Sequence, residues 1–168
     1  SQTSGRIAVT TGSIDCNGNS GADNHCFDVS DTTSSGVTFT SLLSDHDDAG
    51  EAGGAIFLNN TPGSFTFQDT PRLTGLNAII IHATNFGTLN TGTVATGNME
   101  TSNRPVFNIE NGAIDIDATL IRATDSPTHG VRLVNVAGTG INVTGTTVLD
   151  LTPASTGNNI FMQNITSG

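Results

Sequence analysis

The chain repeats itself about every 23 to 29 residues, and a period of that length predicts a solenoid, whose turns stack so that each buries the apolar side of its neighbour. The runs Ala55-Ile56-Phe57-Leu58-Asn59, Ile79-Ile80-Ile81-His82, Val106-Phe107-Asn108-Ile109, Val131-Arg132-Leu133-Val134-Asn135-Val136 and Ile160-Phe161-Met162-Gln163-Asn164-Ile165 read as first strands of successive turns. Second strands read Ser64-Phe65-Thr66-Phe67, Thr88-Leu89-Asn90, Ala113-Ile114-Asp115-Ile116-Asp117 and Gly140-Ile141-Asn142-Val143-Thr144. Third strands read Arg72 to Leu76, Thr93 to Thr96, Ala118 to Arg122 and Thr147 to Leu151. Gly, Asn, Thr, Ser and Pro separate the runs, as punctuation between short strands requires.

Three aligned columns predict an all-β chain folded as a parallel β-helix, each coil giving one short strand to each of three sheets. The next coil then lies about 4.8 Å along the axis. Alternation agrees: Ile114, Ile116, Ile141 and Val143 fall on the inward side while Asp115, Asp117, Asn142 and Thr144 fall outside. A sandwich of two sheets also shows short strands with regular turns, but it does not predict matching columns. The crossover rule favours a right-handed coil.

The whole chain, 1–168, reads as one solenoid domain, with regular coils over 54–168 and irregular N-terminal coils over 1–53. In the latter, Arg6 to Thr10, Ser13 to Cys16, Cys26 to Val29 and Gly36 to Thr40 are the strand candidates. The total is about six coils, three short strands per coil, and a rod about 30 Å long. Solenoid ends present unpaired strand edges that a capping repeat or another subunit normally covers. No amphipathic helix opens this chain and it stops one strand into a new coil. It therefore reads as part of something larger, and the start at Ser1 as a processed or excised piece.

Composition narrows the function. Five basic residues, all Arg and scattered, against a net charge of -10 exclude a phosphate-binding stripe, hence nucleic acid or an anionic membrane. No apolar window is long enough for a membrane helix. Cys16 and Cys26 flank a polar loop as a small disulfide would, which places the chain outside the cell or on its surface; two buried free thiols are the alternative.

Six sets of side chains are candidates for more than packing. The column Asn59, His82, Asn108, Asn135, Asn164 ends each first strand and reads as a stacked turn ladder. Glycosylation triplets begin at Asn59, Asn142 and Asn164; if the ladder faces inward, only Asn142 remains an acceptor. Asp45, Asp47, Asp48 and Glu51 form the densest run of charge, suited to a hard cation such as calcium or simply to a solvated acidic loop; otherwise no cofactor is expected. Asp115 and Asp117 project from one strand as an acid and base pair of a polysaccharide lyase or hydrolase would. Neighbouring coils, however, put Asn90 and Asn142 beside Asp115 and Thr144 beside Asp117, so no carboxylate pair recurs across rungs. Arg122 aligns with Asp150 as a surface ion pair. Finally, His25, His46, His82 and His129 fall in different columns or loops, with no metal-binding spacing.

Gly53-Gly54-Ala55-Ile56 running into Phe57-Leu58-Asn59-Asn60, with Phe161-Met162-Gln163-Asn164 near the end, resembles the GGA[ILV] and FxxN tetrapeptides of polymorphic outer-membrane proteins. Those are autotransporter adhesins with β-helical passengers. The coil pattern as a whole resembles the repeats of bacterial extracellular β-helix proteins. The resemblance implies a non-enzymatic stalk or adhesin segment that contacts a host or neighbouring cell-surface protein or glycan. Two other functions stay open on the sequence: a filament subunit that meets sister subunits through its coil ends, and the polysaccharide enzyme.

Overall fold

A computed structural model describes residues 13–17, 24–33, 36–45, 53–92 and 97–167. These form a parallel β-solenoid of about five turns, with no helix among the described residues. The strands are β1 (Ser13–Asn17), β2 (Asn24–Ser30), β3 (Gly36–Asp45), β4 (Gly53–Leu76), β5 (Ile81–Thr91), β6 (Asn98–Ser102), β7 (Phe107–Ser126), β8 (Val131–Leu151) and β9 (Ile160–Gln163). β4, β7 and β8 are long because each runs around all three faces of the coil without leaving the ladder.

Register fixes the faces. On the first, Ile56, Ile81, Phe107, Val131 and Ile160 are stacked partners. On the second, Val37, Phe65, Leu89 and Ile114 follow one another. On the third, Arg72 pairs with Asn98, Asn98 with Leu120 and Leu120 with Thr146. The strands of the first two columns are those expected from the sequence, although their register differs in places. The third differs in one coil: its strand is Asn98–Ser102, whereas Thr93 to Thr96 lies outside the described residues.

Every inward position feeds one continuous core, in which Ile56, Leu58, Phe67, Leu73, Ile81, Leu89, Phe107 and Ile109 are fully buried. The early coils carry phenylalanines one above another: Phe39 stacks on Phe67 at 5.7 Å between centroids, and Phe27 meets Phe67 edge-on at 5.1 Å. Both are favourable aromatic arrangements. Two buried hydroxyls near the corners are satisfied by main-chain carbonyls, Thr101 Oγ1 donating to Ala78 at 2.7 Å and Ser126 Oγ to His129 at 2.6 Å, whereas the buried Thr91 Oγ1 has no partner. At the β9 end the core is open. Ile160, Met162 and Ile165 are 53%, 55% and 40% exposed and rim an apolar hollow of about 260 Å³.

Candidate functional site

The corner after the first face demands a left-handed backbone, which costs an ordinary side chain about 1–2 kcal/mol but which Asn and Asp tolerate through local hydrogen bonds. Asp31, Asn60, Asn85, Asn111, Asn135 and Asn164 fill it, with φ between 48° and 57°. Each asparagine donates from Nδ2 to Oδ1 of the residue one coil before: Asn60 to Asp31 at 2.9 Å, Asn85 to Asn60 at 3.1 Å, Asn111 to Asn85 and Asn135 to Asn111 at 2.8 Å, Asn164 to Asn135 at 2.9 Å. The ladder thus has a direction, and among the described residues its first member is an acceptor, Asp31. A shorter one stands at the corner after the third face, where Asn103 donates to Asn77 at 2.8 Å and both have positive φ.

This corrects the expected column. Asn135 and Asn164 belong to the ladder, but Asn59, His82 and Asn108 do not. Asn59 is paired with Thr84 within the strands, and His82 with Phe57 and Asn108 on the outward side of the first face. The run of apolar residues marks where a strand is buried, whereas the ladder residue is set by φ, four positions after the stacked Ile56, Ile81, Phe107, Val131 and Ile160. The ladder also faces outward rather than inward, so burial does not single out Asn142 among the glycosylation triplets. Asn142 is exposed, and its Nδ2 donates to Asp117 Oδ1 at 2.8 Å.

The other expected groups fall as follows. Cys16 and Cys26 form a disulfide, with Cα atoms 5.7 Å apart. Asp45 ends β3, while Asp47, Asp48 and Glu51 lie outside the described residues. Asp115 and Asp117 are separate acceptors: Thr139, on a bulge in β8, donates to Asp115, and Asn142 donates to Asp117. The bulge moves Asn142 from the Asp115 column, where it was expected, into that of Asp117, and sets Gly140 opposite Asp115. Arg122 pairs not with Asp150 but with Glu100 of the preceding coil, at 3.1 Å, because its register partner in the next coil is Val148.

A cleft of about 290 Å³ on the first face was not legible in the sequence. Its base is Phe57. The His25 ring lies against Phe57 at 4.8 Å with a 34° tilt, and the His82 ring meets it edge-on at 5.3 Å. Gly54 makes the first contact feasible, since a β-carbon there would come within 2.9 Å of His25 Cδ2. Asn77 and Arg104 close the rim, the Arg104 Nε donating to the Asn77 carbonyl at 3.4 Å. Burial, and then the charges of His25 and Arg132, hold the His82 imidazole below its usual pKa of 6.5. Arg132 itself is clamped two coils away by Glu110 Oε2 and Asn108 Oδ1, each at 3.0 Å.

Among the described residues no cluster of three or more His, Cys, Asp or Glu could hold a metal ion, and no helix is long and apolar enough to cross a membrane. Comparison with family models, with curated proteins and with solved structures found no match to this chain, so any functional reading stands on the geometry above.

Proposed function

We propose that the chain is a non-enzymatic structural segment of an extracellular stalk or adhesin, a stiff β-solenoid that holds a polar surface at a distance. One observation carries this reading: a series of outward polar side chains is linked from rung to rung. Six corner residues form one directed ladder, and Glu100, Glu110, Asp115 and Asp117 each bind a partner on a neighbouring coil. Such links are each worth little at a surface, but repeated along an axis they oppose bending and slippage between rungs. They also engage the two carboxylates that an acid and base mechanism would need free. The disulfide fits an oxidising compartment, and the GGAI and FxxN tetrapeptides fit a bacterial surface protein. Two of those tetrapeptides end on the ladder residues Asn60 and Asn164.

The test is turnover on a panel of acidic and neutral polysaccharides, read as new reducing or unsaturated ends. The reading predicts none; cleavage that disappears in an Asp115→Ala, Asp117→Ala double variant would replace it with the enzyme.

The open apolar end favours a second reading, a filament of copies stacked end to end. Rods in negative-stain images of the purified protein would support the filament, and monomers at high concentration would dismiss it.

A further inference from the structure

The cleft over Phe57 differs chemically from the rest of this surface. The protein carries a net charge of -10, yet among the described residues no carboxylate lines the cleft. His25, His82 and Arg104 can all donate. Asn77 does so as well, because its Oδ1 already accepts from Asn103 and leaves the amide nitrogen for the cleft. The Arg104 guanidinium forms no ion pair with a described carboxylate; its Nε donates to the main-chain carbonyl of Asn77.

From this donor set, we propose that the cleft is a binding site for a small oxyanion, a carboxylate or sulfate group carried by a ligand about the size of one sugar ring. Arg104 supplies the permanent charge. It presents paired N–H donors in the fixed fork that suits a carboxylate or sulfate, and charge-assisted bonds of this kind are about twice as strong as neutral ones. His82 supplies switchable charge, with His25 against the same phenyl ring. The charge of His25 disfavours protonation of His82, and an anion in the cleft offsets that. A cation would meet the opposite situation, with Arg104 at the rim. Phe57 holds the two rings apart and gives the ligand an apolar floor.

The site should be linked to pH. The charged groups facing His82 from the packed elements are His25 on β2, Arg104 at the rim, and Arg132 on β8 with its partner Glu110 on β7. Asp28 is the strand partner of Phe57 and lies on the far side of it. Because burial and the charges of His25 and Arg132 hold His82 below its usual pKa, a bound anion offsets that and draws a proton onto it, and affinity rises as pH falls.

The experiment follows the His25 and His82 ring resonances by NMR while the protein is titrated with sodium glucuronate, sodium sulfate or neutral glucose at constant ionic strength. Saturable shifts of both rings with glucuronate and none with glucose are expected, tightening from neutral pH to about pH 5.5. Arg104→Gln should weaken binding about tenfold or more, the loss of a charge-assisted bond. Sulfate acting as well as glucuronate assigns the site to the oxyanion itself, and glucuronate alone assigns it to acidic sugars. No saturable shift with either anion at tens of millimolar would overturn the proposal, as would an Arg104→Gln protein, melting like the parent, that binds equally well.

Discussion

Replacing Asn111 separates the two tasks a corner asparagine performs. It donates to Asn85 and accepts from Asn135, both at 2.8 Å, and it holds φ at 57°. Asn111→Gly keeps the left-handed backbone without strain and loses only the two bonds. At about 0.5 kcal/mol each, the low end for half-exposed groups, that is about 1 kcal/mol, partly offset because glycine relaxes the turn. Asn111→Ala loses the same bonds and adds about 1 kcal/mol of left-handed strain, so its total is about 2 kcal/mol. For a chain of this length the alanine variant should melt about 4–8 °C lower and the glycine variant about 1–4 °C lower. Urea denaturation with an unchanged slope would read the same difference. Asn111→Asp should fall between them, since it still accepts from Asn135 but sets a carboxylate against the Asn85 amide oxygen. Alanine and glycine variants of equal stability would refute the corner argument, and alanine more stable than glycine would reverse it.

Three further outcomes follow from the same geometry. Because His82 is held below its usual value, the unfolded chain binds more protons, so stability is full above about pH 6.5 and declines as pH falls through that value; His82→Asn should flatten this part of a pH and melting-temperature curve. Reducing Cys16–Cys26, which closes a ten-residue separation, should cost about 2–3 kcal/mol in the first coils, seen as faster amide exchange in β2 and β3 with β7 and β8 unchanged. Gly87→Ala should cost about 3 kcal/mol or more by denaturant melt, since its β-carbon would strike the Pro62 and Gly63 carbonyl oxygens of the coil before, whereas Gly140→Ala meets nothing within 4 Å and should cost about 1 kcal/mol for its φ of 92°.

How much of this could be read from the residues depends on which physical signal each feature uses. The first and second faces were legible because burial alternates with the pleat, as Ile114, Asp115, Ile116 and Asp117 show. The third strand of one coil was not. Asn98–Ser102 holds a single apolar residue, Met99, and its other inward side chain, Thr101, is satisfied by a corner carbonyl rather than by packing. Thr93 and Val94 look more like a strand to a reader of hydrophobicity. The ladder was visible in principle, since its residues recur at separations of 29, 25, 26, 24 and 29, but aligning apolar runs shifted it in three coils. Phe39 and Phe67 enter the core by stacking in register along the axis, a placement that alternation alone does not give. The cleft had no local signal at all. His25 and His82 lie two coils apart, and the missing side chain of Gly54 lets the first reach Phe57.

The central claim, a single coil whose outward links bind parallel rungs into a rigid unit, is tested most directly by nuclear Overhauser contacts between main-chain protons. The account predicts contacts from Ile81 to Phe107, Phe107 to Val131 and Leu89 to Ile114, in the evenly spaced pattern of parallel strands and protected from exchange together. Close Hα to Hα contacts between neighbouring strands, the mark of antiparallel pairing, would contradict the solenoid and the function built on it.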